Sequence, residues 1–298
     1  MFIISKILYF LFAVVLTFTA PLSAVNKDHY DPRSFPQIDV SEKEDGDTRV
    51  VSYNVRCQDV NEEPVATRHH IVVEEIKKLD PDICGLQEVT SGWRNEIIKR
   101  LGDKYTFIGE VRDNLPDGEY SPIIFKSDKY TLLDSGTFWI SETPDVMSIS
   151  WDSACFRVCT YVKLKDNETG KVFAHLNTHL DHAGKEARKN GAKLISDFIK
   201  DNYSDIPVIL TGDFNSSIFS DAYREIVKSG MKDARFNAEV SKHYGTYHDA
   251  KPILQPFYTI DFIFASSMVN IKTYKTVTVG IESRFVSDHF PVYADVIF

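Results

Sequence analysis

The sequence predicts an α/β protein in which two mixed β-sheets pack face to face and helices cover their outer sides. Two observations favour this class. Apolar runs of strand length recur in pairs from residue 49 to the last residue, and helical patterns separate some of the pairs. Hydrophobic residues make up 43% of the chain and charged residues 26%, which is enough apolar material for the core of a large domain. We expect 49–298 to form that one domain.

Strands are predicted where short apolar runs end in polar or turn-forming residues. These runs lie at 50–55, 82–89, 105–111, 123–125, 131–140, 158–164, 172–180, 207–211, 258–265, 269–279 and 289–298. The stretch 166–170, which contains Asp166, Asn167 and Gly170, predicts a hairpin turn. An irregular segment is expected at 229–256.

Four helices are predicted between these strands. They lie at 65–79, 91–101, 186–203 and 221–228. The first must stop at Asp80-Pro81, because proline does not continue a helix. Ser91 is expected to cap the second helix and Gly102 to end it. The third has an apolar face within 194–199, as expected for a helix that packs on a sheet.

The N-terminal segment 1–24 is predicted to be a signal peptide. Lys6 is its one charged residue, an apolar run begins at Ile7, and Ser23 and Ala24 are small residues suited to cleavage. An uncleaved membrane anchor is the alternative, because the uncharged stretch approaches the length that spans a bilayer. Both interpretations place the rest of the chain outside the cytosol. The polar, acidic segment 25–48 is expected to be a linker.

Composition limits the kinds of partner and cofactor. The formal net charge of −9 argues against a broad basic surface for long nucleic acids. No segment of the sequence indicates an obligate protein partner. The four cysteines, Cys57, Cys84, Cys155 and Cys159, match no zinc-binding spacing, and the sequence leaves their disulfide pairing open.

Polar side chains stand at the ends of several predicted strands. Asp213 and Asn215 follow the run 207–211, and residues two apart in extended chain point to the same side. The other residues in such positions are Asn54, Glu88, His179, Asp261, Asp288 and His289. Carboxylates can hold a metal or accept a proton from water, and an amide can hold the nucleophile or a phosphate oxygen. Each residue alone fits an ordinary turn, but the repetition predicts one polar site.

Asp261 is the most informative of these residues. It lies among the apolar strand residues of 258–264, where a carboxylate needs a buried partner. The natural partner is a histidine, because a carboxylate fixes the tautomer of the ring and stabilises its charged form.

Six short motifs occur in a fixed order along the chain. They are Ser52-Tyr53-Asn54, Leu86-Gln87-Glu88, Asn177-Thr178-His179-Leu180, Gly212-Asp213-Phe214-Asn215, Ile260-Asp261-Phe262 and Ser287-Asp288-His289. Together they resemble the endonuclease/exonuclease/phosphatase superfamily over 49–298. The resemblance implies a four-layer α/β sandwich with the site at one rim of the two sheets.

The resemblance also implies roles for the matching residues. Glu88 would be the principal Mg²⁺ ligand, with Asn54 beside it and Asp288 on the metal side, and Mn²⁺ could replace Mg²⁺. Asp213 would activate or orient the attacking water, and Asn215 would hold the nucleophile or a phosphate oxygen.

The histidines complete the implied reaction, which is an in-line attack of water on phosphorus. Asp261 would orient His289 toward the phosphorus, and His179 would contact a non-bridging oxygen or protonate the leaving group. Metal and histidines together would stabilise the negative charge that develops.

Four more residues are weaker candidates for the same site. Arg157 stands where nuclease branches place a phosphate-binding arginine, and Tyr120 where related enzymes place an aromatic residue near the substrate. A surface position for Arg157 and simple packing for Tyr120 are the alternatives. His182 and Arg188 are expected to line the pocket.

The resemblance leaves the substrate open. A phosphorylated small molecule, a lipid headgroup or a short nucleic acid would fit a secreted, Mg²⁺-dependent phosphoesterase that hydrolyses phosphate mono- or diesters. A 3′–5′ RNA exonuclease of the deadenylase type, or another nuclease, is the alternative reaction. A catalytically inactive module that binds a phosphate ligand is the alternative of a different class.

Overall fold

The computed structural model describes residues 36–60, 64–249, 258–281 and 286–298. The predicted signal peptide and the first part of the predicted linker lie outside the described residues. Within them, thirteen strands were found: β1 (Thr48–Asn54), β2 (Ile83–Gln87), β3 (Tyr105–Ile108), β4 (Ile123–Lys126), β5 (Tyr130–Trp139), β6 (Val158–Asp166), β7 (Val172–His179), β8 (Val208–Asp213), β9 (Lys232–Asp233), β10 (Val240–Lys242), β11 (Asp261–Ala265), β12 (Asn270–Thr276) and β13 (Val292–Ile297). The helices are α1 (Val65–Leu79), α2 (Ser91–Leu101), α3 (Lys185–Tyr203), α4 (Asp221–Lys228) and α5 (Ala234–Asn237).

The strands form two mixed sheets. One has seven strands in the order β10-β12-β13-β1-β2-β4-β3, and the other has six in the order β5-β6-β7-β8-β11-β9. Strands β1 and β2 are parallel, as are β7 and β8, and β11 is antiparallel to β8. Within each parallel pair, both strands therefore end at the same rim of their sheet, so the polar residues that end the two strands lie close together.

Three apolar clusters separate the layers. Between the sheets, Val50 and Ile83 of the first sheet pack with Val162 and Ile263 of the second. A second cluster joins the first sheet to α1 and α2, and a third joins the second sheet to α3 and α4. The order of layers is helix, sheet, sheet, helix, so the predicted four-layer sandwich is confirmed.

Two local expectations were wrong. Thr90, not Ser91, caps α2, because its hydroxyl accepts a hydrogen bond from the N–H of Trp93 at 3.5 Å. The segment expected to be irregular contains β9, α5 and β10. These elements have two, four and three residues, which is too short for a hydrophobic period to be visible in the sequence.

The described part of the predicted linker is bonded to the domain. The N–H of Ile38 donates to the hydroxyl of Thr278 at 3.0 Å, and the N–H of Ser41 donates to the hydroxyl of Tyr293 at 3.1 Å. Residues 36–47 therefore lie along the first sheet, and a truncation at residue 49 would remove these contacts. No helix in the described ranges combines the length and the apolar character that crossing a membrane requires.

A buried polar layer joins the two sheets below the rim. The amide nitrogen of Asn177 donates to the carbonyl oxygens of Leu86 and Pro122, at 2.7 and 2.9 Å. Its oxygen accepts from the amide of Gln87 at 2.8 Å and from the hydroxyl of Thr211 at 2.9 Å. Both sheets are thus held at a set distance by one side chain.

Gly85 leaves the room for this layer. A Cβ at position 85 would lie 2.1 Å from the hydroxyl oxygen of Thr211 and 2.4 Å from the side-chain oxygen of Asn177. We expect Gly85→Ala to lower the free energy of unfolding by about 2–4 kcal/mol, since neither polar group can move without losing buried hydrogen bonds. Urea unfolding would measure this. Gly92→Ala in α2 is the control, because its nearest neighbour would be 3.7 Å away, and it should be neutral or slightly stabilising.

His175 makes the stability dependent on pH. Because the hydroxyl proton of Thr211 is donated to Asn177, Thr211 accepts from Nε2 of the buried His175 at 2.8 Å. Nδ1 of His175 has no hydrogen-bond partner among the described residues. Burial lowers the pKa of His175 from 6.5 to about 3, so the folded protein holds the neutral ring.

The sign of the pH effect follows from these values. As the pH falls below 6.5, the unfolded chain takes up a proton at His175 that the folded protein takes up only near pH 3. We expect the free energy of unfolding to fall by up to about 1.4 kcal/mol per pH unit from this group in that window. Urea unfolding at pH 7, 6, 5 and 4 would measure it. His175→Gln should flatten the curve, and an equally steep curve would contradict the assignment.

Candidate active site

Strand register brings three of the predicted site residues together. His179 is opposite Asp213 in the parallel pair β7–β8, and Asp261 is opposite Asp213 in the antiparallel pair β8–β11. All three are at least nine-tenths buried. A small residue precedes Asp213 because a Cβ at Gly212 would lie 2.5 Å from the carbonyl oxygen of Thr178. The close approach of β7 and β8 at this point requires that glycine.

Asp261 is paired with a histidine, His289. The Nδ1 atom of His289 lies 2.8 Å from a carboxylate oxygen of Asp261, and its Nε2 atom lies 3.8 Å from the carboxylate of Asp213. Burial alone would lower the pKa of His289. The charge of Asp261 and its hydrogen bond, with smaller contributions from Asp213 and Asp288, raise that pKa to about 10. His289 is therefore an imidazolium near neutral pH and can stabilise developing negative charge.

Asp213 is suited to accept a proton. Burial, and then the charge of Asp261, raise its pKa to about 7, while His289 acts to lower it. The N–H of Asn215 donates to one of its oxygens at 2.8 Å, and the amide of Asn54 donates to the other at 3.0 Å. A carboxylate that titrates near neutral pH and is held on both oxygens fits the role of a general base.

The tautomer of His179 follows from its contact with Asn215. The amide nitrogen of Asn215 donates to the carbonyl oxygen of Leu180 at 3.0 Å, so the atom 2.8 Å from Nε2 of His179 is also that nitrogen. Nε2 of His179 therefore accepts, and the neutral ring carries its proton on Nδ1. Asn215 itself has a left-handed backbone, with φ of 46°, which turns its side chain back toward β7.

Glu88 is held at the other side of Asp213. Its two oxygens accept from the amide of Asn54 at 3.0 Å and from the N–H of Cys57 at 2.9 Å. Burial opposes the ionisation of Glu88, but His179, these hydrogen bonds and that from the Cys57 thiol hold its pKa below the ordinary value. Glu88 therefore stays ionised, and its three hydrogen bonds leave one of the four lone pairs of the carboxylate free.

Asn54 orients the two carboxylates. The N–H of Arg56 can only donate, and it bonds the side-chain oxygen of Asn54 at 3.0 Å. The nitrogen of Asn54 consequently faces Glu88 and Asp213, and its oxygen accepts from Arg56. This orientation lets Asn54 position both carboxylates, and its contact with a metal stays a prediction. Asp288, the third predicted metal-side residue, lies 3.3 Å from the guanidinium of Arg56 and 3.9 Å from Nε2 of His289.

The donor set fits a hard divalent cation. Ligand atoms of Glu88, His179 and Asp213 lie within 4.8 Å of one another, and all three residues are buried. Two buried carboxylates that share one amide donor repel each other, and a bound cation would relieve this repulsion. Glu88, with Asp213 and Asp288 nearby, would hold such an ion through oxygen atoms, as Mg²⁺ prefers.

These side chains meet in one cleft of about 810 Å³. The predicted site residues on its lining are Glu88, Arg157, His179, His182, Asp213, Asn215 and His289. Asn54, Asp261 and Asp288 stand behind this lining and hold it through the contacts described above. The sequence motifs, although far apart along the chain, thus form one site.

Arg157 is a buried cation on the cleft, not a surface arginine. It is 5% exposed, and its Nη2 atom lies 3.2 Å from Nδ1 of His182. Its Nε and Nη1 atoms have no hydrogen-bond partner among the described residues, and the nearest carboxylate, that of Asp181, is 3.8 Å from Nε. A buried guanidinium with unused donors favours an anionic ligand in the cleft.

Two of the weaker candidates lie elsewhere. The half-buried ring of Tyr120 packs edge-on to Phe107, with centroids 6.3 Å apart, and its backbone pairs with Val89. This supports the packing interpretation of Tyr120. Arg188 donates to the carbonyl oxygen of Asp181 at 2.8 Å and holds the loop that carries His182.

The sequence reasoning missed several residues of the lining. Arg56 and Cys57 come two and three residues after Asn54, and reading its motif three residues further would have found them. Arg112 and Glu119 form an ion pair of 2.5 Å on another wall. Nothing in the local sequence distinguishes these two from ordinary loop charges.

Two tyrosines border the cleft beside His289. The Tyr247 ring lies 5.0 Å from the His289 ring and 5.9 Å from that of Tyr258, measured between centroids. Tyr258 is 58% exposed although it lines the cleft. It therefore presents an aromatic surface to anything bound there.

A family model identifies the family of the protein. The model described as "Endonuclease/Exonuclease/phosphatase family" matches residues 51–289. The chain belongs to the endonuclease/exonuclease/phosphatase family. This is a family of metal-dependent hydrolases of phosphate esters, and the match confirms the superfamily that the six motifs predicted.

Solved structures of other family members cover most of the domain. An endonuclease/exonuclease/phosphatase protein from Bacteroides vulgatus is 38% identical, with a TM-score of 0.79 over 84% of this chain and 98% of that one. A mannosyl-6-phosphatase from Bacteroides thetaiotaomicron is 32% identical, with a TM-score of 0.79 over 84% of this chain and 100% of that one.

A curated relative is longer than the region that matches this chain. Protein angel of Drosophila melanogaster is 27% identical over 188 residues, which are 56% of this chain and 52% of that protein. The present chain thus matches about half the length of this relative.

Proposed function

We propose that the protein is a Mg²⁺-dependent phosphoesterase in which Asp213 activates the attacking water. The observation that carries this proposal is the meeting of a proton-accepting carboxylate, an imidazolium and an ionised Glu88 in one cleft. Asp213 lies 3.8 Å from Nε2 of His289, so base and cation face the same reacting group. When bound, Mg²⁺ supplies positive charge to the phosphate oxygens, and Mn²⁺ has the same ligand preference.

Each residue of the site has a distinct task in this proposal. Asp213 takes the proton from water, and Asn215 keeps Asp213 and His179 in place through its N–H and its amide. His289, held by Asp261, stabilises the charge that develops on phosphorus oxygens. His179 carries its proton on Nδ1, and Arg157 offers two unused nitrogen donors to phosphate.

We propose a phosphorylated small molecule, a sugar phosphate, as the substrate class. The 32% identical mannosyl-6-phosphatase supports this choice. The cleft supports it too, because its 810 Å³ suits a small ligand and its lining offers the Tyr258 ring and the Arg112–Glu119 pair. An aromatic face can pack on the carbon side of a sugar, while planar charged groups bond its hydroxyls.

A panel of phosphate esters tests both parts of the proposal. We would offer hexose 6-phosphates, inositol phosphates, p-nitrophenyl phosphate, bis-p-nitrophenyl phosphate, a short RNA and plasmid DNA, each with Mg²⁺ and with EDTA. We expect turnover of sugar monophosphates that EDTA, Asp213→Ala and His289→Ala each abolish. Preference for RNA or DNA would favour a nuclease. A folded protein that binds Mg²⁺ but turns over none of these esters would favour a phosphate-binding module.

We also propose that the protein is exported through its N-terminal segment. The support is the apolar run that begins at Ile7, behind the single charge of Lys6. N-terminal sequencing of the protein from its native host would test this, with a mature end near residue 25 expected. An intact N-terminus in a membrane fraction would instead favour the anchor.

A further inference from the structure

A buried arginine outside the cleft connects the two halves of the site. Arg68, in the first part of α1, is 1% exposed, and its guanidinium carbon lies 5.4 Å from the centre of the Trp93 ring. No described carboxylate forms an ion pair with it. Its four terminal N–H groups all donate to backbone carbonyl oxygens, and these belong to two chain segments far apart in the sequence.

The first segment follows β1. Nη1 of Arg68 donates to the carbonyl oxygen of Val55 at 3.1 Å, and Nη2 donates to those of Arg56 at 2.9 Å and Gln58 at 2.6 Å. Arg56 has a left-handed backbone, with φ of 59°, which a non-glycine residue adopts only when its surroundings hold it there. Arg68 supplies three of the bonds that do so.

This turn directs two backbone N–H groups at the site. The N–H of Arg56 sets the orientation of the Asn54 amide, and the N–H of Cys57 bonds Glu88 at 2.9 Å. A change in the turn would therefore release Glu88 from the N–H of Cys57 and free the Asn54 amide to rotate.

The second segment precedes β13. Nη1 of Arg68 also donates to the carbonyl oxygen of Val286 at 2.5 Å, across a sequence separation of 218 residues. Val286 is followed by Ser287, whose hydroxyl donates to the carbonyl oxygen of Asn54 at 2.7 Å, and then by Asp288 and His289. The same guanidinium thus holds the strand end that carries His289.

We propose that Arg68 is a positioning residue. By donating to four backbone carbonyl oxygens, it fixes the turn beside Glu88 relative to the segment that carries His289. A planar guanidinium suits this task, because its N–H groups point in fixed directions that an ammonium group cannot reproduce. Misplacement of catalytic groups by about 1 Å lowers rates by about 10²-fold in general. The inference rests on the proposed function for its kinetic part, and on the metal-binding chemistry of Glu88 for the rest.

The test compares Arg68→Lys and Arg68→Met with a matched variant, Arg49→Met. Arg49 is also a buried arginine, with a 2.7 Å ion pair to Asp295, but it lies near the opposite end of β1 from Asn54. All three variants should lose thermal stability. To distinguish positioning from stability, we would measure Mn²⁺ binding without substrate by electron paramagnetic resonance. We would also measure kcat and KM with Mg²⁺.

We expect both Arg68 variants to bind Mn²⁺ at least about 10-fold more weakly and to lose about 10²-fold in kcat, with KM changed less than about 3-fold. Arg49→Met should match the parent protein in both measurements at a temperature where it is folded. Arg68→Lys keeps the positive charge, so the test can still be made if Arg68→Met does not fold.

Two outcomes would overturn the proposal. One is Mn²⁺ affinity and kcat in both folded Arg68 variants equal to those of Arg49→Met, which would leave Arg68 a purely structural residue. The other is a loss of kcat in Arg68→Met that lysine restores in full, which would show that charge, not the four bonds, matters. If the parent protein turns over no ester, the proposed function fails, while the Mn²⁺ comparison still decides the role of Arg68.

Discussion

Replacing His289 with glutamine is expected to lower kcat/KM by about 10²–10³-fold, because the site loses the imidazolium that, in the proposed reaction, faces the phosphate. Asp261→Asn should cost a similar factor. It removes the charge that, 2.8 Å from Nδ1, keeps His289 protonated against the effect of burial. Steady-state kinetics with Mg²⁺ on the preferred ester would measure both.

The double variant of His289 and Asp261 tests whether the two act as a unit. We expect it to be about as slow as the slower single variant, because Asp261 works only through His289. His243→Gln in an exposed position beyond β10 is the control and should keep full activity. Multiplication of the two single effects would show that Asp261 acts independently of the ring.

Replacing Glu88 with glutamine is expected to remove most of the affinity for Mg²⁺. The amide halves the number of oxygen donors and removes the charge that the hydrogen bonds from Cys57 and Asn54 preserve. We expect the Mg²⁺ concentration for half-maximal rate to rise at least about 10-fold and kcat to fall by about 10²-fold. Mg²⁺ titrations of the rate would check this, together with calorimetric Mg²⁺ titrations without substrate.

A matched substitution distinguishes the loss of a carboxylate in the site from the loss of one negative charge elsewhere in the protein. Glu186→Gln near the start of α3 removes the same group from an exposed position and should leave the titration unchanged. If Glu88→Gln titrated like the parent protein, the metal would have to be held mainly by Asp213 and Asp288.

Local patterns predicted most of the fold. The helix at 65–79 was placed with its observed bounds, because an apolar period and the Asp80-Pro81 stop are both local signals. The helix at 221–228 was placed with the same accuracy. The short elements β9, α5 and β10 were missed, because they are held by neighbouring strands and not by a pattern of their own.

The contacts within the site, like the elements of the fold, could be predicted only in part. That Asp261 requires a buried histidine followed from its apolar neighbours, and the structure supplies His289. Which amide atom of Asn54 faces the carboxylates could not be predicted, because the backbone N–H of Arg56 decides it through a left-handed turn. The same limitation applied to Tyr120, whose packing against Phe107 depends on the course of a loop.

The sequence by itself determined the family, the layered fold and the polar residues at the strand ends, because short segments of a few residues are enough to predict each of these. Only the tertiary structure decided how those residues act together. It placed Arg157 in a buried position with unused donors, paired Arg112 with Glu119, and connected Arg68 to Val286 across 218 residues. Such contacts depend on the relative positions of segments far apart in the chain, and no local period or spacing encodes them.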